Sequence, residues 1–312
     1  MNIKILVTGA AGYIGSMLTT ELVKLGYQVI AIDIQKYDKN SLSHLFLYKN
    51  FQFINEDITK DVVIKKFIKN VDFIMPLAAL VGAPLCKKYK NKAIKINVES
   101  IKIILKYIKK HQKIIYPTTN SGYGIGEKNK LCDENSPLRP ISLYGSTKAA
   151  AEKLIMKHEN SICFRLATVF GFSYRMRTDL LVNNFVMKAI RYKKLFIFEP
   201  HFRRNYIHVK DVVNAFIFAI NNFYKLKSNI YNLGLSSANL SKIQLAKRIK
   251  FQIKNLKIII IKNATDPDKR DYYVSNKKIE KAGFKPHISL ESGINELINI
   301  FTFAKVNFKN NY

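Results

Sequence analysis

The 312-residue chain has no tryptophan, only three cysteines and far fewer acidic than basic residues. Each shortage excludes something. Cys86, Cys132 and Cys163 are odd in number, widely spaced and form no C-x-x-C pair. That excludes a disulfide framework, argues against any metal site of the zinc-ribbon kind, and points to reduced thiols in a cytoplasmic protein. No apolar run approaches the ~18 residues of a membrane span; the strongly apolar stretch Ile258 to Ile261 is strand-sized. The opening MNIKILVTGA has no long apolar core and runs straight into a glycine-rich turn, so it is not read as a signal peptide. With 22 Asp and Glu against 52 Lys and Arg, the formal net charge is +30. The lysines are scattered rather than gathered in one arm, so the excess reads as compositional bias and not as a nucleic-acid or membrane footprint. It would still favour capture of a nucleotide diphosphate.

Hydrophobic residues make up 48% of the chain, enough for a soluble protein with a sizeable core. The first half alternates short β-type runs with helical patterns. Strands are expected at Ile3 to Val7, Gln28 to Ile32, Phe51 to Ile54, Asp72 to Met75, Lys113 to Tyr116 and Ser161 to Leu166. Helices are expected at Tyr13 to Leu25, Ala93 to Lys110 and Tyr144 to Lys157; Ile94, Val98, Ile101, Leu105 and Ile108 mark the apolar stripe of the second. This alternation predicts an α/β fold with a doubly wound parallel sheet covered on both faces. Beyond about residue 170 the pattern loosens, with helices expected at Asp179 to Tyr192, Val212 to Asn222, Ser241 to Ile253 and Leu290 to Phe301. The expected division is a dinucleotide-binding domain over residues 1–170 and a smaller, partly interleaved substrate-binding region over 171–312.

The strongest local signal is LVTGAAGYIGS, residues 6 to 16, between an expected strand and an expected helix. Gly9, Gly12 and Gly15 have the spacing needed for a sharp turn, for backbone to approach a pyrophosphate and for the helix to pack closely on the strand. The N–H groups of the helix start, around Tyr13 and Ile14, then face the phosphates. Asp33 closes the second strand, where a carboxylate accepts hydrogen bonds from both ribose hydroxyls and repels a 2′-phosphate, favouring NAD over NADP. Lys36 and Lys39 nearby weaken that preference slightly. Asp57, followed by Ile58, is read either as an adenine-edge residue or as a helix N-cap.

Tyr144 and Lys148 lie four apart at the start of an expected helix and share a face. An adjacent ammonium favours phenolate, which a free tyrosine, titrating near pH 10, does not supply at neutral pH. Thr118 and Thr119, in PTTNSGYG at 117–124, follow an expected strand and so sit at the carboxyl end of the sheet, where such folds bind ligands.

Taken together, TGAAGYIG, Asp33, Asp57, LAAL at 77–80, Asn97, Thr119, the Tyr144–Lys148 pair, FRLATVFG at 164–171, RRNYIHVKD at 203–211 and the segment at 266–286 resemble the extended short-chain dehydrogenases, the NAD-dependent epimerase/dehydratase family acting on nucleotide sugars. The resemblance implies NAD as cofactor, Thr119 polarising the substrate oxygen, Tyr144 as general base, and Lys148 lowering the tyrosine's pKa and holding the nicotinamide ribose. It implies that Leu77, Ala78 and Ala79 run along the cofactor, with Asn97 at a central structural position. Asn183, Arg204 and Arg270, with Arg175 and Arg177, are implied to grip the nucleotide diphosphate, since an arginine fork meets phosphate oxygens bidentately. It also implies a homodimer paired through the helices at 93–110 and 144–157, whose stripes from sequence alone could equally face the sheet.

Family members that dehydrate or decarboxylate place a carboxylate one or two residues after the catalytic hydroxyl; here those positions are Asn120 and Ser121. That leaves oxidation with release of the ketone, or re-reduction on the other face, which is epimerisation. PLAALVGAPLCK, NSGYGIGEK, RMRTDLLVN and HFRRNYIHV are similar to members that oxidise C4 of a GDP-linked heptose for capsular polysaccharide. The expectation is therefore NAD-dependent C4 oxidation of a GDP-linked sugar, with 4-epimerisation of a nucleotide hexose as the alternative. A non-catalytic dinucleotide-binding regulator is the reading from a different class; such proteins often lose the tyrosine or the lysine, and both are present here.

Overall fold

The computed structural model describes residues 3–127, 130–261, 270–304 and 310–311. Its centre is a seven-stranded sheet in the order Asn229–Leu233, Ser161–Leu166, Lys113–Thr119, Phe73–Pro76, Lys4–Thr8, Gln28–Ile32, Phe51–Ile54. Every adjacent pair is parallel. The doubly wound α/β class expected from the alternation of elements is thus the fold observed. Three strands fall where the sequence predicts them, Gln28–Ile32, Phe51–Ile54 and Ser161–Leu166. The seventh, Asn229–Leu233, comes from the second half of the chain.

Side-chain alternation along the strands builds two cores, one on each face. Ile5 and Val7 join the core formed with Leu18 and Leu22 of the helix Tyr13–Lys24 and with Ala215, Phe216 and Ala219 of the helix Val209–Asn221. Leu6, Ile74, Ile114 and Tyr116 point the other way, against Val63, Ile64, Ile101, Ile104, Ala151 and Ile155. Because both faces are covered, strands such as Ser161–Leu166 are buried along their whole length.

Two local departures from expectation have physical causes. The helix anticipated at 93–110 is divided: Lys90–Ile94 leads into a widened π-type turn, Lys95–Glu99, before Ser100–Tyr107, and the chain turns extended at Ile108. Such turns insert where a side chain has work outside the helix, and Asn97 at its centre bonds to neighbouring segments. The strand expected to end at Tyr116 runs on to Thr119 through Pro117. By that point it has parted from Phe73–Pro76, which pairs only with Lys113 and Ile114, so the missing proline N–H costs no ladder bond on that side.

The second half of the chain also forms smaller sheets apart from the central one. Arg203–His208 pairs parallel with Thr168–Phe170 and antiparallel with Asn239–Ser241. The helix Leu290–Phe303 is tied to it by Glu296, whose carboxylate accepts bonds from His208 Nε2 at 2.7 Å, Lys210 Nζ at 2.7 Å and the Phe172 N–H at 3.0 Å. These partners hold the Glu296 carboxyl down at about 2, against burial, which pushes it the other way. A carboxylate depressed on folding stabilises above its unfolded value and loses that contribution as pH falls toward the folded one. Glu296→Gln is therefore expected to cost about 2–3 kcal/mol at pH 7. The cost should shrink steadily between about pH 4.5 and 2 in paired denaturant melts; a gap independent of pH would refute it. No helix among the described residues is long and apolar enough to cross a membrane.

Candidate active site

The sheet order reverses beside Lys4–Thr8, whose neighbours are Gln28–Ile32 and Phe73–Pro76. Connections leave in opposite directions there, opening a crevice at the carboxyl ends of the strands. A cavity of about 560 Å³ occupies it.

At one end the turn from the first strand leaves no room for side chains. Gly9 has φ +69°, and a Cβ there would lie 2.5 Å from the Ala78 nitrogen. A Cβ on Gly15 would lie 2.1 Å from the Gly9 carbonyl oxygen. Gly12 precedes the helix Tyr13–Lys24 with no side-chain cap, so the N–H groups of the first turn face the cavity wall formed by Gly12, Tyr13 and Ile14. Asp33 lines the same end; its carboxylate accepts bonds from the Gln35 N–H at 2.7 Å and the Ala11 N–H at 3.0 Å, while burial raises its pKa. Asp57 and Ile58 lie on the wall. Asp57 accepts the Thr59 N–H at 2.9 Å, and the residue capping the next helix, Asp61–Phe67, is Lys60. A glycine cradle, an uncapped helix start and a ribose-sized acceptor fit the adenosine diphosphate half of a dinucleotide.

Leu77, Ala78 and Ala79 line the middle of the cavity. Asn97 does not. It is buried behind this loop, where its Oδ1 accepts the Leu80 N–H at 2.8 Å and its Nδ2 donates to the Leu80 carbonyl at 3.1 Å and to Thr147 Oγ1 at 3.0 Å. It splints the Leu77–Leu80 loop to the helix Leu143–Ile155 instead of touching a ligand.

That helix, capped by Ser142, presents Tyr144 and Lys148 from its first turns. The Tyr144 phenol is within hydrogen-bonding reach of Thr119, at the end of its strand. Burial pushes the phenol up to about 12, while Arg270 and Arg177 pull it down. Lys148 is 4% exposed and donates to the Tyr116 hydroxyl at 2.6 Å, its ammonium 3.9 Å from the centre of that ring. Burial lowers it to about 7. Tyr116 escaped the motif reading; the signal was strand alternation, which turns it toward the helix carrying Lys148.

At the far end the arginines separate. Arg204 and Arg270 line the cavity with Tyr272; Arg270 contacts the Ser121 hydroxyl, and Arg204 donates to the Arg203 carbonyl at 2.9 Å. Asp266 to Lys269, within the motif before Arg270, lie outside the described residues. Arg177 lines the cavity but pairs with Asp179, which the sequence reading missed. Asn183 is corrected: it is fully buried and its amide is used up on the Gly171 N–H at 3.0 Å and the Arg177 carbonyl at 2.8 Å. Its neighbour Asn184, one helical step round, reaches the cavity instead.

A crevice with a dinucleotide cradle at one end, a threonine–tyrosine–lysine group in the middle and arginines at the other defines a short-chain dehydrogenase. Comparison with known proteins narrows this. Residues 5–234 match the NAD dependent epimerase/dehydratase family. The chain belongs to that family, takes NAD as its cofactor and is an enzyme of nucleotide-sugar chemistry. It is 32% identical over 229 residues to an uncharacterised UDP-glucose epimerase of Bacillus subtilis, covering 68% of this chain and 71% of that one. It is 26% identical over 329 residues to the dTDP-D-glucose 4,6-dehydratase of Mus musculus, covering 98% and 91%. Among solved structures it is similar to the UDP-glucuronic acid 4-epimerase of Bacillus cereus in complex with UDP-glucuronic acid and NAD, with TM-score 0.84, 25% identity and 96% and 99% of the chains covered.

Proposed function

We propose that the chain oxidises the C4 hydroxyl of a GDP-linked heptose and releases the ketone, as a cytoplasmic step in polysaccharide synthesis. NAD supplies the hydride acceptor. Tyr144 takes the hydroxyl proton, Thr119 holds the same oxygen, and Lys148, one turn along the same helix face, adds a cation there while it is protonated. Arg204 and Arg270 take the diphosphate end. The same reading has the chain working as a homodimer through the segments 93–110 and 144–157, supported by exposed Ile94 near the start of the first and Tyr89 just before it.

The observation that carries this reading is the pair of residues next after Thr119. Asn120 and Ser121 occupy the positions where a carboxylate would move a second proton, and Ser121 faces the Arg270 guanidinium. With no acid there to move a second proton, dehydration and decarboxylation are disfavoured, which leaves oxidation at C4 followed by release of the ketone or by its re-reduction. A second reading, 4-epimerisation of a nucleotide hexose, is favoured by the likeness to the Bacillus subtilis and Bacillus cereus proteins. Incubation with GDP-D-glycero-D-manno-heptose and with UDP-glucose, each with and without an added electron acceptor, separates the two. A 4-keto GDP-heptose accumulating in step with reduced cofactor is the expected result. A new epimer without net NADH would establish the second reading, and no product from either sugar would remove both.

A further inference from the structure

The segment after Gly171 is fastened to the start of the cofactor-binding helix. Tyr13 donates its hydroxyl to the Gly171 carbonyl at 2.7 Å, Ser173 Oγ donates to the Tyr13 carbonyl at 2.6 Å and lies 3.0 Å from Ser16 Oγ, and the Arg175 N–H reaches Ser16 Oγ at 3.3 Å. Tyr174 adds a stacked contact with His44, ring centres 4.3 Å apart. These ties carry the Arg175 side chain to the adenosine end of the cavity. Its guanidinium lies 4.9 Å from the centre of the Tyr37 ring and within the electrostatic field of Asp33.

Arg175 is 2% exposed, lines the cavity, and both terminal nitrogens are buried with no hydrogen-bond partner among the described residues. A guanidinium is rarely left so, because five fixed donors out of water need acceptors. The neighbouring arginine, Arg177, already has its counter-ion in Asp179. Asp33, whose carboxyl feels the Arg175 charge, accepts from the Ala11 and Gln35 N–H groups and leaves both terminal nitrogens of Arg175 without a bond. What the guanidinium lacks is an anion with several oxygens, presented where the uncapped start of the helix Tyr13–Lys24 also favours an anion.

We propose that Arg175 is a cofactor residue rather than a substrate residue: its guanidinium would hold the NAD pyrophosphate beside the start of the helix Tyr13–Lys24, with Tyr37 next to it. This moves it away from the nucleotide-sugar diphosphate, to which sequence resemblance assigns it. The inference rests on NAD being the cofactor and not on which sugar is oxidised.

Equilibrium binding tests it without turnover. NADH, ADP-ribose and adenosine are titrated onto wild type, Arg175→Lys, Arg175→Gln and Arg175→Ala; GDP and UDP are titrated onto the same proteins saturated with NADH. The expected result is a loss of about tenfold or more in NADH and ADP-ribose affinity for the Gln and Ala variants, since a charge-assisted fork to phosphate is removed. Arg175→Lys should lose less, adenosine binding should change little, and GDP and UDP affinity should stay within about twofold. Arg175→Gln keeps reach and packing and carries the test should alanine disturb the segment. Unchanged NADH affinity overturns the proposal, as does a loss confined to GDP and UDP. Equal weakening of adenosine and ADP-ribose overturns it too, because the contact would then be to the nucleoside and not to the phosphates.

Discussion

Tyr144→Phe is expected to lower turnover by about 10²- to 10⁴-fold while leaving the fold and the affinity for NADH nearly unchanged. The ring packs in a small cluster with Leu80, Leu85, Cys86, Ala93 and Leu143, contacts that phenylalanine keeps. What goes is the one oxygen set against Thr119 that can accept a proton. Burial alone leaves that phenol harder to ionise than a free tyrosine, at about 12, so the positive groups around it decide whether it works. Arg270 is the largest of these in the site as it stands. The oxidised nicotinamide ring would add to it when bound. The Thr119 and Ser121 hydroxyls that remain are no bases at neutral pH. The measurement is single-turnover formation of NADH with each candidate sugar, beside a thermal melt and an NADH titration. A variant that folds, binds NADH and turns over at the wild-type rate would end the assignment of Tyr144 as the base.

The parts of this site that could be read from sequence are those where backbone geometry or a single helical turn dictates the residue. Gly9 and Gly15 are such cases, because a Cβ at either meets backbone at 2.5 and 2.1 Å. Tyr144 and Lys148 are another, since a four-residue spacing at a helix start puts both on one face whatever the rest of the chain does. Asp33 follows from the end of a strand that the apolar pattern places without ambiguity.

The rest depends on contacts between distant segments, which carry no local signal. Asn183 and Asn184 are adjacent and chemically identical; which one reaches the cavity depends on how the helix Leu181–Tyr192 is rotated against Gly171 and Arg177. Arg175 and Arg177 are two residues apart, yet one pairs with Asp179 and the other is carried over Tyr37 by hydroxyls from a helix some 160 positions earlier. The widened turn at Lys95–Glu99 interrupts an apolar stripe that is unbroken in sequence; the Asn97 amide at its centre accepts the Leu80 N–H and donates to Thr147 Oγ1, partners far away along the chain. Tyr116 looks like ordinary core until the helix bearing Lys148 is laid across it.

Lys148 is where function and stability pull apart, and replacing it by methionine should show both effects in one protein. An ammonium held at about 7 by burial is costly to fold, because the unfolded chain would carry the same group near 10.5. Below about pH 7 both states are protonated, and the native state bears the whole cost of burying the charge. Between about 7 and 10.5 the unfolded chain binds a proton that the native state does not, so wild-type stability rises with pH across that window. Above it both are neutral and the cost is gone. Methionine fills a similar volume with no charge. Cofactor-free Lys148→Met is therefore expected to be more stable than wild type by about 2–4 kcal/mol near pH 6.5, the full linkage reduced by the Tyr116 hydroxyl left without its partner. That advantage should decline toward zero by about pH 10. Turnover at pH 6.5, where wild type carries the ammonium, should fall by at least about 10²-fold, because the helix face that carries the phenol loses its cation. Denaturant melts of both proteins at pH 6.5, 8 and 9.5, with nucleotide removed so that binding does not add to the wild type alone, decide the matter. A methionine variant less stable at pH 6.5, or a difference that does not change with pH, would mean that Lys148 is accommodated without strain and that its low proton affinity is not what the fold gives up for catalysis.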